Sequence, residues 1–102
     1  MNQQTVLLVE DNLVLAKIYA EILGTTDRTV TVTHNGRDAK THLDQYTPDL
    51  LIIDLHIPEV SGMQIIQEVT ADARFTNTKI IVTTADSFLG NKIQTWHPRA
   101  NK

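Results

Sequence analysis

The stretch LLIIDLHIPEVSG, residues 50–62, places four aliphatic side chains directly before a lone carboxylate, Asp54, and follows it with Pro58 and Gly62. An apolar run this short is below helical length and offers no polar face, which is the pattern of a strand buried on both sides of a parallel sheet. The carboxylate at its end is then the feature to explain.

Working outward, VLLV at 6–9 and KIIVT at 79–83 are runs of the same kind, whereas TVTVTH at 29–34 alternates and predicts a strand with one less buried face, nearer an edge. Between the first two strands, Leu15, Ile18, Tyr19, Ile22 and Leu23 recur at the spacing of an amphipathic helix. Asn12 or Asp11 caps its start and Gly24 its end. A second helix is expected over about 36–45, burying Ala39 and Leu43, launched by Asn35-Gly36 and followed by Pro48. A third, over about 61–73, is expected to bury Met63, Ile66 and Val69. A fourth, weaker helical pattern covers 86–97 through Phe88, Leu89, Ile93 and Trp96, with Pro98 as its stop. The order β-α-β-α-β-α-β-α with short connections predicts one α/β domain over 1–102, a doubly wound parallel sheet with right-handed crossovers.

Composition narrows the function classes. Twelve acidic against nine basic residues give a net charge of -3, which speaks against a generic binder of nucleic acid or anionic membranes. The absence of cysteine removes disulfides, thiolate catalysis and thiolate-bound zinc. The apolar run at 6–9 is too short for a signal peptide or a membrane span, and a cytoplasmic protein is expected. His34, His42 and His97 lack zinc-ligand spacing, and no glycine-rich nucleotide loop occurs.

Ligands of open parallel sheets bind beyond the carboxyl ends of the strands. The first strand ends in Glu10-Asp11, the third in Asp54 and the fourth in Thr83-Thr84-Ala85. If the first and third strands are neighbours, three carboxylates share one pocket, and such crowding calls for a cation. Mg²⁺ suits an all-oxygen site that keeps waters and accepts phosphate oxygens, and Asp54 beside it is placed to act as a nucleophile that becomes an aspartyl phosphate.

The sequence resembles the receiver domain of two-component response regulators. VLLVEDN, LLIIDLHIPEVSG and IIVTTAD resemble, in order, that family's acidic-pair strand, its phospho-acceptor strand and loop, and its hydroxyl-bearing strand, and HNGRDA opens the second helix as in the family. The resemblance implies a flavodoxin-like sheet of order 2-1-3-4, with Asp54 as phospho-acceptor and Glu10, Asp11, Asp54 and the His56 backbone carbonyl around Mg²⁺. It implies that the Thr84 hydroxyl bonds the phosphoryl group, with Ala85 leaving room for it, and that Thr83 is the less suited hydroxyl. His56 and Asp86 fall where the family varies its dephosphorylation rate.

The implied partners are a histidine kinase or phosphotransfer protein and a downstream protein target, and the implied role is signalling, not enzymatic turnover. The family's fifth strand carries a lysine that this sequence lacks at a matching position: RANK at 99–102 resembles the segment leading into that strand, so the lysine is due about four residues past Lys102. The chain is thus expected to lack the family's fifth strand and fifth helix. That leaves the fourth strand an open apolar edge and predicts a homodimer through the fourth strand or helix. The alternative is a pseudo-receiver, an interaction module that takes up no phosphoryl group. A haloacid-dehalogenase-type hydrolase, which also uses an aspartyl nucleophile, fits poorly because its nucleophile lies on the first strand.

Overall fold

The computed structural model of the chain describes residues 3–84 and 92–96. Its elements are β1 (Gln4–Val9), α1 (Leu13–Leu23), β2 (Arg28–Thr33), α2 (Gly36–Gln45), β3 (Leu50–Asp54), α3 (Gly62–Ala71), a single 3₁₀ turn (Ala73–Phe75), β4 (Lys79–Thr84) and β5 (Lys92–Trp96). The sheet runs β2-β1-β3-β4-β5. The first four strands are parallel in the expected order 2-1-3-4, and the alternating strand β2 is the edge. The fold is flavodoxin-like, and the family's parallel fifth strand is absent among the described residues.

Strand alternation sorts the side chains onto two faces. Leu7, Val9, Leu51, Ile53, Ile80 and Val82 point to one face, where Ala39 and Leu43 of α2 and Ile65, Ile66 and Val69 of α3 cover them. Val6, Leu8 and Ile52 point to the other, where Tyr19, Ala20 and Leu23 of α1 pack. The helix starts follow from their caps. Asn12, not Asp11, accepts from the Leu15 N–H at 3.0 Å. Asn35 accepts from Asp38 at 2.8 Å and Ser61 from Gln64 at 3.2 Å, each satisfying an N–H that a first helical turn leaves orphaned.

Three expectations are corrected. Ile18 and Ile22 are exposed, because the small side chains of Ala16 and Ala20 let α1 approach the sheet on a face rotated from the expected stripe. Met63 is exposed as well, and Ile65 takes its place in the core. Where a fourth helix was expected over 86–97, residues 92–96 form β5, antiparallel to β4 with Thr84 opposite Lys92 and Ile80 opposite Trp96. Ile93, Thr95 and Trp96 are good strand formers, and a β4 edge without a partner leaves a row of backbone N–H and C=O groups to satisfy. The rest of the expected helix, with Phe88 and Leu89, lies outside the described residues. Because β5 occupies the β4 edge, strand addition there by a second chain is closed in this structure.

Candidate functional site

Parallel pairing of β1 with β3 sets Val9 beside Ile53, so the residues that follow each strand emerge side by side at the carboxyl edge. Glu10 leaves β1 held by its own backbone: its N–H donates to Thr33 at 3.0 Å, and its carbonyl oxygen lies 3.0 Å from His34 Nδ1. Asp54 closes β3, opposite Thr83 of β4. Carboxylate oxygens of Glu10, Asp11 and Asp54 all lie within 4.8 Å of one another, with Glu10 and Asp54 buried and Asp11 exposed.

Such a cluster is under electrostatic load. Burial pushes the Glu10 carboxyl above the usual glutamate range, the Asn12 N–H donating to its Oε2 at 3.1 Å pulls it back, and the neighbouring Asp54 and Asp11 charges push it up again. Tyr19, on the α1 face, is raised by burial and then by the charges of Glu10 and Asp54. The donor set is all oxygen. Ligands of Mg²⁺ lie about 2.1 Å from the ion, hence at most roughly 4.2 Å apart, so a shift of a few tenths of an ångström brings these carboxylates into its shell. The residues present therefore fit a hard divalent cation.

The loop after β3 is held on two sides. The Gly62 N–H donates to Leu55 at 3.2 Å, and the Gly36 N–H at the start of α2 donates to Pro58 at 2.8 Å. A Cβ on Gly62 would run into the backbone of Asp54 and Leu55, and one on Gly36 into that of Val60. Glu59 takes φ 77°, a left-handed conformation unusual for a residue with a side chain. His56 is exposed, and its N–H donates to Asp54 Oδ1 at 3.0 Å. Thr84 ends β4 at the same edge, while its side chain, Ala85, Asp86 and Lys102 lie outside the described residues.

Several neighbours of the site carried no sequence signal. Tyr19 reads as a core residue, and only the fold brings it near the acids. The docking of Gly36 on the Pro58–Val60 segment joins residues whose contact no local pattern announces. Thr83, passed over in favour of Thr84, is buried directly beside Asp54.

The family model of the response regulator receiver domain matches residues 6–102. The chain belongs to that family. Among relatives, it is 27% identical over 89 residues to the polar-differentiation response regulator DivK of Brucella anthropi, covering 87% of this chain and 72% of DivK. Among solved structures, the chemotaxis response regulator CheY4 of Vibrio cholerae matches with a TM-score of 0.76 at 21% identity, over 84% of this chain and 72% of CheY4. The phosphorylated cyanobacterial phytochrome response regulator RcpA matches with a TM-score of 0.76 at 25% identity, over 82% of this chain and 66% of RcpA. This receiver domain is thus a signalling module of two-component systems. Among the described residues no helix is long and apolar enough to cross a membrane.

Proposed function

We propose that this receiver domain accepts a phosphoryl group on Asp54 from a histidine kinase or phosphotransfer protein and passes the signal to a downstream protein in the cytoplasm. The observation that carries the reading is the convergence of Glu10, Asp11 and Asp54 within 4.8 Å at the carboxyl edge of the sheet. RcpA, similar over most of this chain, is a phosphorylated protein, in keeping with that reading.

An Asp54 carboxylate oxygen attacks phosphorus, the phosphorus–nitrogen bond of the phosphohistidine breaks, the electron pair leaves on the imidazole, and an acyl phosphate remains on Asp54. Glu10, Asp11, Asp54 and the His56 carbonyl are the groups to hold Mg²⁺, which when bound supplies neutralisation of the phosphoryl oxygens. The His56 N–H donates to Asp54 Oδ1, which orients the carboxylate assigned to the attack. The Thr84 hydroxyl is assigned to a phosphoryl oxygen and Ala85 to the space beside it.

One observation favours the pseudo-receiver reading. The strand beside β4 is antiparallel, so the family's lysine-bearing parallel strand is not supplied by the described residues. Intact mass after incubation with Mg²⁺ and acetyl phosphate separates the two. A gain of one phosphoryl group, absent from Asp54→Asn, is expected. Mg²⁺ binding with no gain in mass would leave an interaction module.

A further inference from the structure

Thr83 is 6% exposed, at a place in β4 that a valine would fill with the same shape. Burying a hydroxyl costs free energy unless a partner replaces the water it gives up. Thr78, also buried, shows the usual solution, since its hydroxyl donates to the Pro48 carbonyl at 2.7 Å. No hydrogen bond joins the Thr83 hydroxyl to any described residue in this structure.

The register says where that hydroxyl belongs. Asp54 lies opposite Thr83 and Ile52 opposite Ile81, and in-register neighbours in a parallel sheet stand on the same side. Thr83 lines the groove between α1 and the sheet with Tyr19, Ile52 and Ile81, which places it on the α1 side together with Asp54. The lining of that groove is apolar, so Thr83 presents its methyl there and turns its hydroxyl elsewhere. Neighbouring strands lie about 4.8 Å apart, a spacing at which rotation of the two side chains brings hydroxyl and carboxylate within hydrogen-bond reach. Asp54 has room for the bond. Among the described residues its carboxylate accepts from the His56 N–H at Oδ1 alone, and one bond at one oxygen leaves the plane of the carboxylate free to turn.

We propose that Thr83 is a positioning residue: its hydroxyl donates to the Asp54 carboxylate and, with the His56 N–H, fixes the orientation in which that carboxylate meets Mg²⁺ and attacks phosphorus. The second of these roles rests on Asp54 being the phospho-acceptor, and the first does not.

Two substitutions divide the side chain. Thr83→Val removes the hydroxyl and keeps the shape, whereas Thr83→Ser keeps the hydroxyl and removes the methyl. The whole chain is compared by urea midpoint, by Mg²⁺ affinity from titration calorimetry and by the rate of phosphoryl uptake from acetyl phosphate. Thr83→Val is expected to keep or raise the midpoint while weakening Mg²⁺ binding and slowing uptake by about tenfold each. Thr83→Ser is expected to lower the midpoint while both affinity and rate stay within about threefold of the parent. A purely structural residue would give the opposite order, with affinity and rate following the midpoint. A parent that binds Mg²⁺ but takes up no phosphoryl group would end the phospho-acceptor reading, yet Mg²⁺ binding weakened in Thr83→Val and kept in Thr83→Ser would still support the hold on Asp54. Parental Mg²⁺ affinity in Thr83→Val, equal losses in both variants or a parent without Mg²⁺ affinity overturns the role of Thr83, as does an undiminished rate in Thr83→Val where the parent is phosphorylated.

Discussion

On the face of the sheet under α2 and α3, Leu7, Val9, Leu51, Ile53, Ile80 and Val82 are sealed by two helices, whereas on the opposite face, among the described residues, one helix, α1, packs on Val6, Leu8 and Ile52, with a groove beside them. The acids belong to the second face. By strand alternation Glu10 follows Leu8 and Asp54 follows Ile52, so the carboxylates share a side with the helix that covers less. Among the described residues, the larger packed cluster lies on one side of the sheet, and the acid cluster and the groove on the other. The loop bearing Glu59 joins them, since it leaves Asp54 and docks against Gly36 at the start of α2.

The sharpest way to break this comparison is to truncate one isoleucine on each side. Ile66→Ala, at a site 1% exposed under α3, is expected to lose about 2–5 kcal/mol, because removed contacts leave a cavity in a packed interior. Ile22→Ala, 70% exposed on α1, should stay within about 0.5 kcal/mol. Urea denaturation of both measures the difference. Equal losses would mean that α1 is packed as closely as α3.

The next largest effect is expected at the junction. Gly62→Ala forces a Cβ against the backbone of Asp54 and Leu55, which cannot rotate away as a side chain can. A loss of about 1–3 kcal/mol is expected, together with weaker Mg²⁺ binding, because relief of the clash displaces Asp54, whose carboxylate belongs to the acid cluster. Weaker Mg²⁺ binding at unchanged stability would show a loop that adapts without strain.

How far this division was legible in the sequence differs by element. The aliphatic run before Asp54 is apolar on both faces, so its strand and the burial of its neighbours follow from composition alone. The strand order places the Glu10-Asp11 pair beside it. On α1 the pattern fails for a physical reason: LVLAKIYAEIL is apolar nearly all round, so periodicity offers more than one buried face, and the closer approach allowed by Ala16 and Ala20 decides between them. KIQTW is equally ambiguous, since Ile93 and Trp96 satisfy a helical spacing while Ile93 and Thr95 satisfy a strand, and only the β4 edge resolves it. Close approaches such as Gly36 to Val60 arise from the meeting of distant segments and leave no local signature.

Glu10 should make the acidic side respond to pH. Its folded-state pKa is raised above the unfolded value, so ionisation is harder in the folded chain, and the metal-free protein should lose stability as pH rises from the ordinary glutamate range through the raised value. Glu10→Gln keeps an acceptor for the Asn12 N–H while removing the charge, and is expected to flatten that part of the curve and to weaken Mg²⁺ binding at least about tenfold. Thermal unfolding of parent and variant from pH 4 to 7 (roughly the glutamate window), with and without Mg²⁺, measures both effects. A parent that gains stability over that window would show hydrogen bonding outweighing burial at Glu10.

The smallest effect concerns Glu59 in the joining loop. A residue with a side chain at φ 77° carries about 1 kcal/mol of strain that glycine does not, but glycine gives the unfolded chain more freedom and returns part of that gain. Glu59→Gly is therefore expected to stabilise the protein by only a few tenths of a kcal/mol. Because Glu59 is exposed and outside the acid cluster, phosphoryl uptake from acetyl phosphate should keep its parental rate. The outcome sharpens the contrast between the two sides, since a loop held at Gly36 and Gly62 should tolerate greater freedom at Glu59 without passing it to Asp54. A fall in rate would make the conformation at Glu59 part of what positions Asp54, and would extend the rigidity of the sealed face as far as the site.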